Sequence, residues 1–375
     1  MHFFKKPNQT HPKLSVTSVG GEISPSLLEL EFLNYLDLSS NNFNCTPIPS
    51  FLGSMGSLTH LELSEANFCG LIPPQLGNLS SLHYLDLGDN SDLYVDNLHW
   101  MSGLSAIQVL DLSSIDLHRE VDWLQIMSKF PSLSELYLNY CQIDSLNPFL
   151  GFVNFTTLRV LELSGNHFNH EIPPSIFSLR KLRALCLDSN KLTGKIPESL
   201  GQLKHLTYLN LINNSLSGPI PSSIGNLSHL VELQLSKNQF NGTIPKTLGL
   251  LSNLEVLSIG NNILTGTVNE RHFTKFSKLT DLDMSYTHLY FNVNSNWIPP
   301  FQLEYARMSS CKIGPNFPTW LQTQRSIKEL YMSHSEISDQ APSWFWNWTS
   351  NIEIIDLSYN LIEGDVSGIV LTLPS

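Results

Sequence analysis

Apolar residues recur along the chain in the pattern L-x-x-L-x-L-x-x-N-x-L at a period of 24–26 residues. Fourteen copies begin at Leu33, Leu58, Leu82, Ile107, Leu133, Leu158, Leu182, Leu206, Leu230, Leu254, Leu279, Leu303, Ile327 and Ile352. The L-x-L alternation predicts a short strand with its leucines on one face and its variable residues on the other. One such coil cannot bury its own apolar face. Neighbouring coils must therefore share a core, with their strands stacked as a parallel ladder on a concave side. Fourteen strands spaced about 4.8 Å apart predict a ladder roughly 60 Å long.

The Asn at the ninth position turns the chain away from the strand, and its amide can satisfy backbone groups that the turn would otherwise bury unpaired. Eight copies keep it, at Asn41, Asn90, Asn166, Asn190, Asn214, Asn238, Asn262 and Asn360. Ala66, Ile115, Cys141, Thr287, Cys311 and Ser335 replace it in the others, and these are expected soft points. Several copies continue as G-x-I-P, at 70–73, 194–197, 218–221 and 242–245. Gly admits unusual backbone angles while Pro fixes φ and removes a donor, so this segment should be an extended turn rather than a regular helix. The expected fold is an α/β solenoid: a right-handed leucine-rich-repeat arc with a parallel β-ladder on the concave face and irregular or 3-10 convex segments.

The 24-residue unit with its G-x-I-P ending resembles the plant extracellular class of leucine-rich repeat. Three segments narrow the likeness: GGEISPSLLELEFLNYLDLSSNNF from Gly20, LYVDNLHWMSGLSAIQVLDLS from Leu93 and VDWLQIMSKFPSLSELYLNYCQI from Val121. With these the chain is similar to receptor-like proteins of the fungal-xylanase-receptor type. The resemblance implies a ligand-binding ectodomain on the extracellular side of the plasma membrane, acting in defence through a partner receptor kinase. It implies no enzyme and no cofactor. Two alternatives stand beside it: a secreted inhibitor of a microbial wall-degrading enzyme, and a truncated, non-functional copy.

Residues 1–19 fit no repeat and are expected to be an atypical disordered segment, with the solenoid running over 20–375 and lacking recognisable caps. An uncovered solenoid end exposes core. The chain therefore reads as an internal fragment, a truncated gene or a degenerate copy. No apolar run reads as a signal peptide or a membrane span. Of 375 residues, 41% are hydrophobic and 14% charged, enough apolar material for a continuous core. The net charge of -12 argues against nucleic acid as partner.

Eight N-x-S/T sequons begin at Asn8, Asn44, Asn78, Asn154, Asn213, Asn226, Asn241 and Asn347. Asn78, Asn154 and Asn226 each lie four residues before the first Leu of a copy, so glycans there would decorate one flank. Cys45 and Cys69 each sit three residues before the Ile of an I-P pair. Equivalent places on adjacent coils make a disulfide between them feasible. Cys141 and Cys311 read as buried thiols and Cys186 as a concave residue. Without a C-x-x-C pair, zinc is not indicated.

The thirteen histidines yield no catalytic motif. His170-Glu171 starts like a zinc-protease helix, but Pro174 stands where the second His is needed. His118-Arg119-Glu120 lacks the Asp of a phosphoryl-transfer loop. The seven tryptophans, Trp100, Trp123, Trp297, Trp320, Trp344, Trp346 and Trp348, lie between strands and read as packing for irregular coils.

The concave face carries the functional signal. Its four variable columns hold 14 of the 33 acidic residues and two of the 21 basic ones, Lys237 and Arg307. Asp37, Glu62, Asp86 and Asp111 fall on four consecutive strands, where like charges repel by tenths of a kcal/mol per exposed pair. The L-D-L-S habit of the repeat accounts for such a column structurally. A site for a basic peptide or cation accounts for it functionally, with Tyr35, His60, Tyr84, Tyr137, Tyr208, Tyr305 and Tyr331 as contact surface and Glu162 and Asp188 continuing the acidic lining. A protein, peptide or glycan ligand is expected on this face.

Overall fold

The computed structural model describes residues 20–144, 155–347 and 352–364. Fourteen three-residue strands, from Tyr35–Asp37 to Ile354–Asp356, form one parallel sheet in chain order. The register places central leucines opposite one another, as in Leu36↔Leu61, Leu61↔Leu85 and Leu85↔Leu110. This is the alternation read from L-x-L: the central residue of each strand turns inward and its two neighbours face the concavity. The inward side chains join the convex coils in one continuous apolar core along the solenoid.

From Asn90 onward, each repeat Asn works on two coils at once. The Asn90 amide donates to Leu87 O on its own coil and to Leu63 O on the coil before, both at 2.9 Å. Its Oδ1 accepts from Ala66 N–H and Phe68 N–H. Where the Asn is missing, the expected weakness is largely made good by backbone. Phe43 N–H bonds Ala66 O, Leu117 N–H bonds Cys141 O and Ile313 N–H bonds Ser335 O. The hydroxyls of Thr287 and Ser335 and the thiol of Cys141 also donate to backbone carbonyls. Ala66, Cys141, Thr287 and Ser335 are thus alternative solutions to the same pairing requirement.

The convex side holds eleven short 3-10 helices and one α-helical turn, Trp123–Met127, among the described residues. The I-P pair leads straight into the 3-10 helix, with Pro49, Pro73, Pro197, Pro221 and Pro245 as caps. Adjacent 3-10 helices lie so close that a Cβ on Gly77 would stand 2.0 Å from Trp100 O, and one on Gly103 2.0 Å from Gly77 O. The expected extended turns are in part strands. Cys69–Leu71 pairs with Asp92–Tyr94, and Ser217–Gly218, Gln239–Gly242, Ile263–Val268 and His288–Phe291 make a second parallel sheet.

The irregular coils are filled by aromatics. Trp123 is buried in the α-helical turn between the strands Val109–Asp111 and Glu135–Tyr137. Trp297 packs against Phe273, Phe291, Phe301 and Trp320 at ring separations of 5.6–6.4 Å. Residues 1–19 and Trp348 lie outside the described residues.

Candidate concave binding site

The strand register brings two rows side by side at the N-terminal end of the ladder. In the first, the Tyr35 and His60 rings are 5.6 Å apart and the His60 and Tyr84 rings 5.8 Å apart, the latter pair stacked. In the second, Asp37, Glu62, Asp86 and Asp111 are direct neighbours on consecutive strands. The rows touch where the Tyr35 hydroxyl donates to Glu62 Oε1 at 2.9 Å. Partial burial, with the Glu62 and Asp37 carboxylates, pushes the Tyr35 phenol up to about 12. Burial and the nearby His83 lower His60, so at neutral pH its imidazole adds a ring face to the row and no cation.

The four carboxylates are not equivalent. Asp86 is fully buried and its Oδ1 accepts Gly88 N–H at 3.0 Å. Asp37 accepts Ser39 N–H and Asp111 accepts Ser113 N–H in the same way. Asp283, Asp356 and Asn210 repeat the contact further along the ladder. A short acidic or amide side chain bonding the N–H two residues on is an Asx-type turn, and it closes the strand. The frequency of L-D-L in this chain therefore has a structural cause. Glu62, one methylene longer, reaches across to Tyr35 instead.

Mid-ladder, Val160, Ala184, Cys186 and Tyr208 form a small apolar island on the concave side, separate from the main core, with Tyr137 packed against it. Carboxylates ring it: Tyr137 donates to Glu135, Asn139 to Glu162, and Asn210 to Asp188. Burial pushes the Cys186 thiol up, as do Glu162, Asp188 and Glu232, leaving a neutral group with little nucleophilic character. Tyr84, Tyr137 and Tyr208 are shifted upward too, first by burial and then by neighbouring acids. Apart from Tyr305 and Tyr331, the predicted residues therefore fall into two groups, Tyr35–Asp111 at the N-terminal end and Tyr137–Tyr208 around the island.

One feature was not anticipated from single positions. Arg307 bridges Asp281 at 3.0 Å and Glu329 at 3.4 Å while lying 5.2 Å from the Tyr305 ring centre. All these partners stand on three adjacent strands, so the signal is visible only once the copies are aligned column by column.

Cys45 and Cys69 are joined as a disulfide across adjacent coils, with Cα atoms 4.8 Å apart. Cys141, Cys186 and Cys311 are free and buried. Asn78 and Asn226 end equivalent 3-10 helices and are exposed on one flank. Asn44, Asn213 and Asn241 are exposed elsewhere, Asn213 at the concave rim with φ 57° and Asn241 in the second sheet. Asn8 and Asn154 lie outside the described residues, as does the Asn347 side chain. Among the described residues no three metal-capable side chains converge, and no helix is long and apolar enough to cross a membrane.

Comparison with known proteins gives three findings. The family described as leucine-rich repeat region matches residues 112–341, and single leucine-rich repeats match 32–55 and 57–79. The chain is 45% identical to the receptor-like protein EIX2 of Solanum lycopersicum over 105 residues, and 42% identical to EIX1 of the same plant over 103. Each match covers 28% of this chain and about a tenth of the curated relative's length. Among solved structures, PEPR1-AtPEP1 and a TDR receptor each superpose with a TM-score of 0.68 at 26% identity over 92% of this chain. They are covered over 55% and 54% of their own lengths.

Proposed function

Because the chain belongs to the leucine-rich-repeat family, we propose that it is the ligand-binding ectodomain of a plant cell-surface receptor-like protein and takes a basic peptide along the N-terminal half of its concave face. The observation that carries this reading is the pairing of the Tyr35, His60 and Tyr84 row with the carboxylate row. Aromatic faces attract cations, and aligned carboxylates steer and hold them. Lys and Arg side chains on a peptide would meet both. The likeness to receptor-like proteins supports a place on the extracellular side of the plasma membrane. It also supports a role in defence and signalling through a partner kinase.

Glu62 is the probe of choice, since it faces the concavity without holding its own turn. The test is titration of the 375-residue chain with Lys/Arg-rich peptides at low and high salt. Glu62→Gln should weaken binding roughly tenfold, the effect of one charge-assisted contact worth about 1.5 kcal/mol, and should flatten the salt dependence. Equal affinity of wild type and variant at both salt levels would remove the acidic-aromatic site.

A further inference from the structure

Among the described residues, a mid-solenoid edge has the opposite sign. Where the chain enters the ladder strands of three consecutive mid-solenoid coils, Arg159, Arg180, Lys181, Arg183 and Lys204 are all exposed. None of the five has a carboxylate within ion-pair distance among the described residues, whereas Arg307, Lys312 and Lys328 each do. The five belong to one patch. Arg183 N–H bonds Arg159 O at 2.7 Å, and Thr207 N–H on the next coil bonds Arg183 O at 2.8 Å. The His229 ring extends the row, with Nδ1 2.9 Å from Lys204 O and its centre 6.0 Å from that of His205. In a protein of net charge -12, this concentration of unpaired cations is a local reversal of the field.

We infer that this edge is a second binding surface, for a linear polyanionic carbohydrate of the polyuronate type. Three observations choose that partner. Among the described residues no exposed large apolar side chain lies between Tyr140 and Leu250, so the described patch has no anchor of the kind that centres a protein interface or inserts into a bilayer. Among the described residues it also has no exposed Phe, Tyr or Trp on which bases would stack, as single-stranded nucleic acid requires. Asn226, a sequon residue on the coil of His229, is exposed on the same flank, and a glycan there would hold off a broad, flat partner but not a slender chain. The cations recur from coil to coil at the strand spacing of about 4.8 Å, so an array of fixed charges faces a polymer whose carboxylates also recur. Each guanidinium can bind a carboxylate in bidentate fashion, and each ammonium adds a point charge.

The test uses the 375-residue chain with oligogalacturonate as the probe, and with neutral dextran and phosphatidylserine vesicles as comparisons. Wild type should bind oligogalacturonate at low ionic strength and lose that affinity steeply as salt rises. The variant Arg180→Gln/Lys181→Gln/Arg183→Gln/Lys204→Gln should bind at least about tenfold more weakly. Lys191→Gln/Lys195→Gln, beyond the ladder strand, should bind as wild type does. Glu62→Gln should leave oligogalacturonate binding unchanged, which separates this surface from the concave one. Since all four altered side chains are exposed, melting should be unaffected; if the quadruple variant fails to fold, Arg183→Gln/Lys204→Gln must show a partial loss. No binding by wild type at low salt, undiminished binding by the variant, or stronger binding to the vesicles would each overturn the assignment.

Discussion

The side-chain oxygen of Asn90 accepts the backbone N–H of Phe68, one coil earlier, at 3.0 Å. Asn90→Ala would orphan that buried N–H and the one of Ala66 together, at a cost of about 2–4 kcal/mol. Hydrogen exchange at Ala66 and Phe68 should accelerate in step with a lower melting temperature. Ser335→Ala should cost less, roughly 1 kcal/mol or below, because Ile313 N–H bonds the backbone oxygen of residue 335 and not its side chain. Similar losses in the two variants would contradict this division of labour.

Gly77 supports a second expectation, on packing. A methyl group there would meet Trp100 O at 2.0 Å, and backbone on a neighbouring coil cannot swing aside as a side chain can. Gly77→Ala should therefore destabilise by about 1–3 kcal/mol or more, the usual range for overpacking. Gly56→Ala is the internal comparison, since nothing lies within 4 Å of its Cβ position. Thermal melts of the two variants should differ clearly, and coincident melts would show that the convex coils separate without strain.

Glu232 gives the pH dependence a sign. Burial raises its carboxyl above the ordinary range, with the Gln234 amide at 3.0 Å opposing the shift and Glu255 and Asp281 adding to it. The unfolded chain therefore releases this proton at lower pH than the folded one does. As pH rises from the unfolded value, about 4.3, to the raised folded value, stability falls, and above that it stays level. Glu232→Gln should raise the melting temperature at neutral pH and remove that part of the decline. A variant melting at or below wild type at neutral pH would show that the carboxylate is not a net cost.

Much of this architecture could be read from residue order because it is periodic. Leu36, Leu61 and Leu85 occupy the same phase of successive copies, and the same phase dictates burial and register. The fate of single side chains was less legible. Asp37 and Asp86 occupy the same column, yet one is exposed and the other fully buried, because burial depends on the neighbours two coils supply. The turn-closing role of these aspartates follows from local backbone direction, which the spacing of leucines does not encode. Arg307 shows a third limit, since its partners lie 22 and 26 residues away and become neighbours only across the ladder.

The strict in-register stacking of the ladder fixes a ratio. Neighbouring coils are set about 4.8 Å apart, while a peptide in the extended polyproline II form advances about 3.1 Å per residue and turns once every three residues, which brings i and i+3 to the same side. A peptide lying along the trough thus passes two coils for every three of its own residues. Tyr35 and Tyr84 stand two coils apart, as do Asp37 and Asp86. Basic residues at positions i and i+3 of such a peptide would fall into phase with the like residues of the trough, while those at i and i+1 or i+2 would drift between coils. The solenoid acts on an extended ligand as a vernier, selecting by spacing among sequences of the same composition.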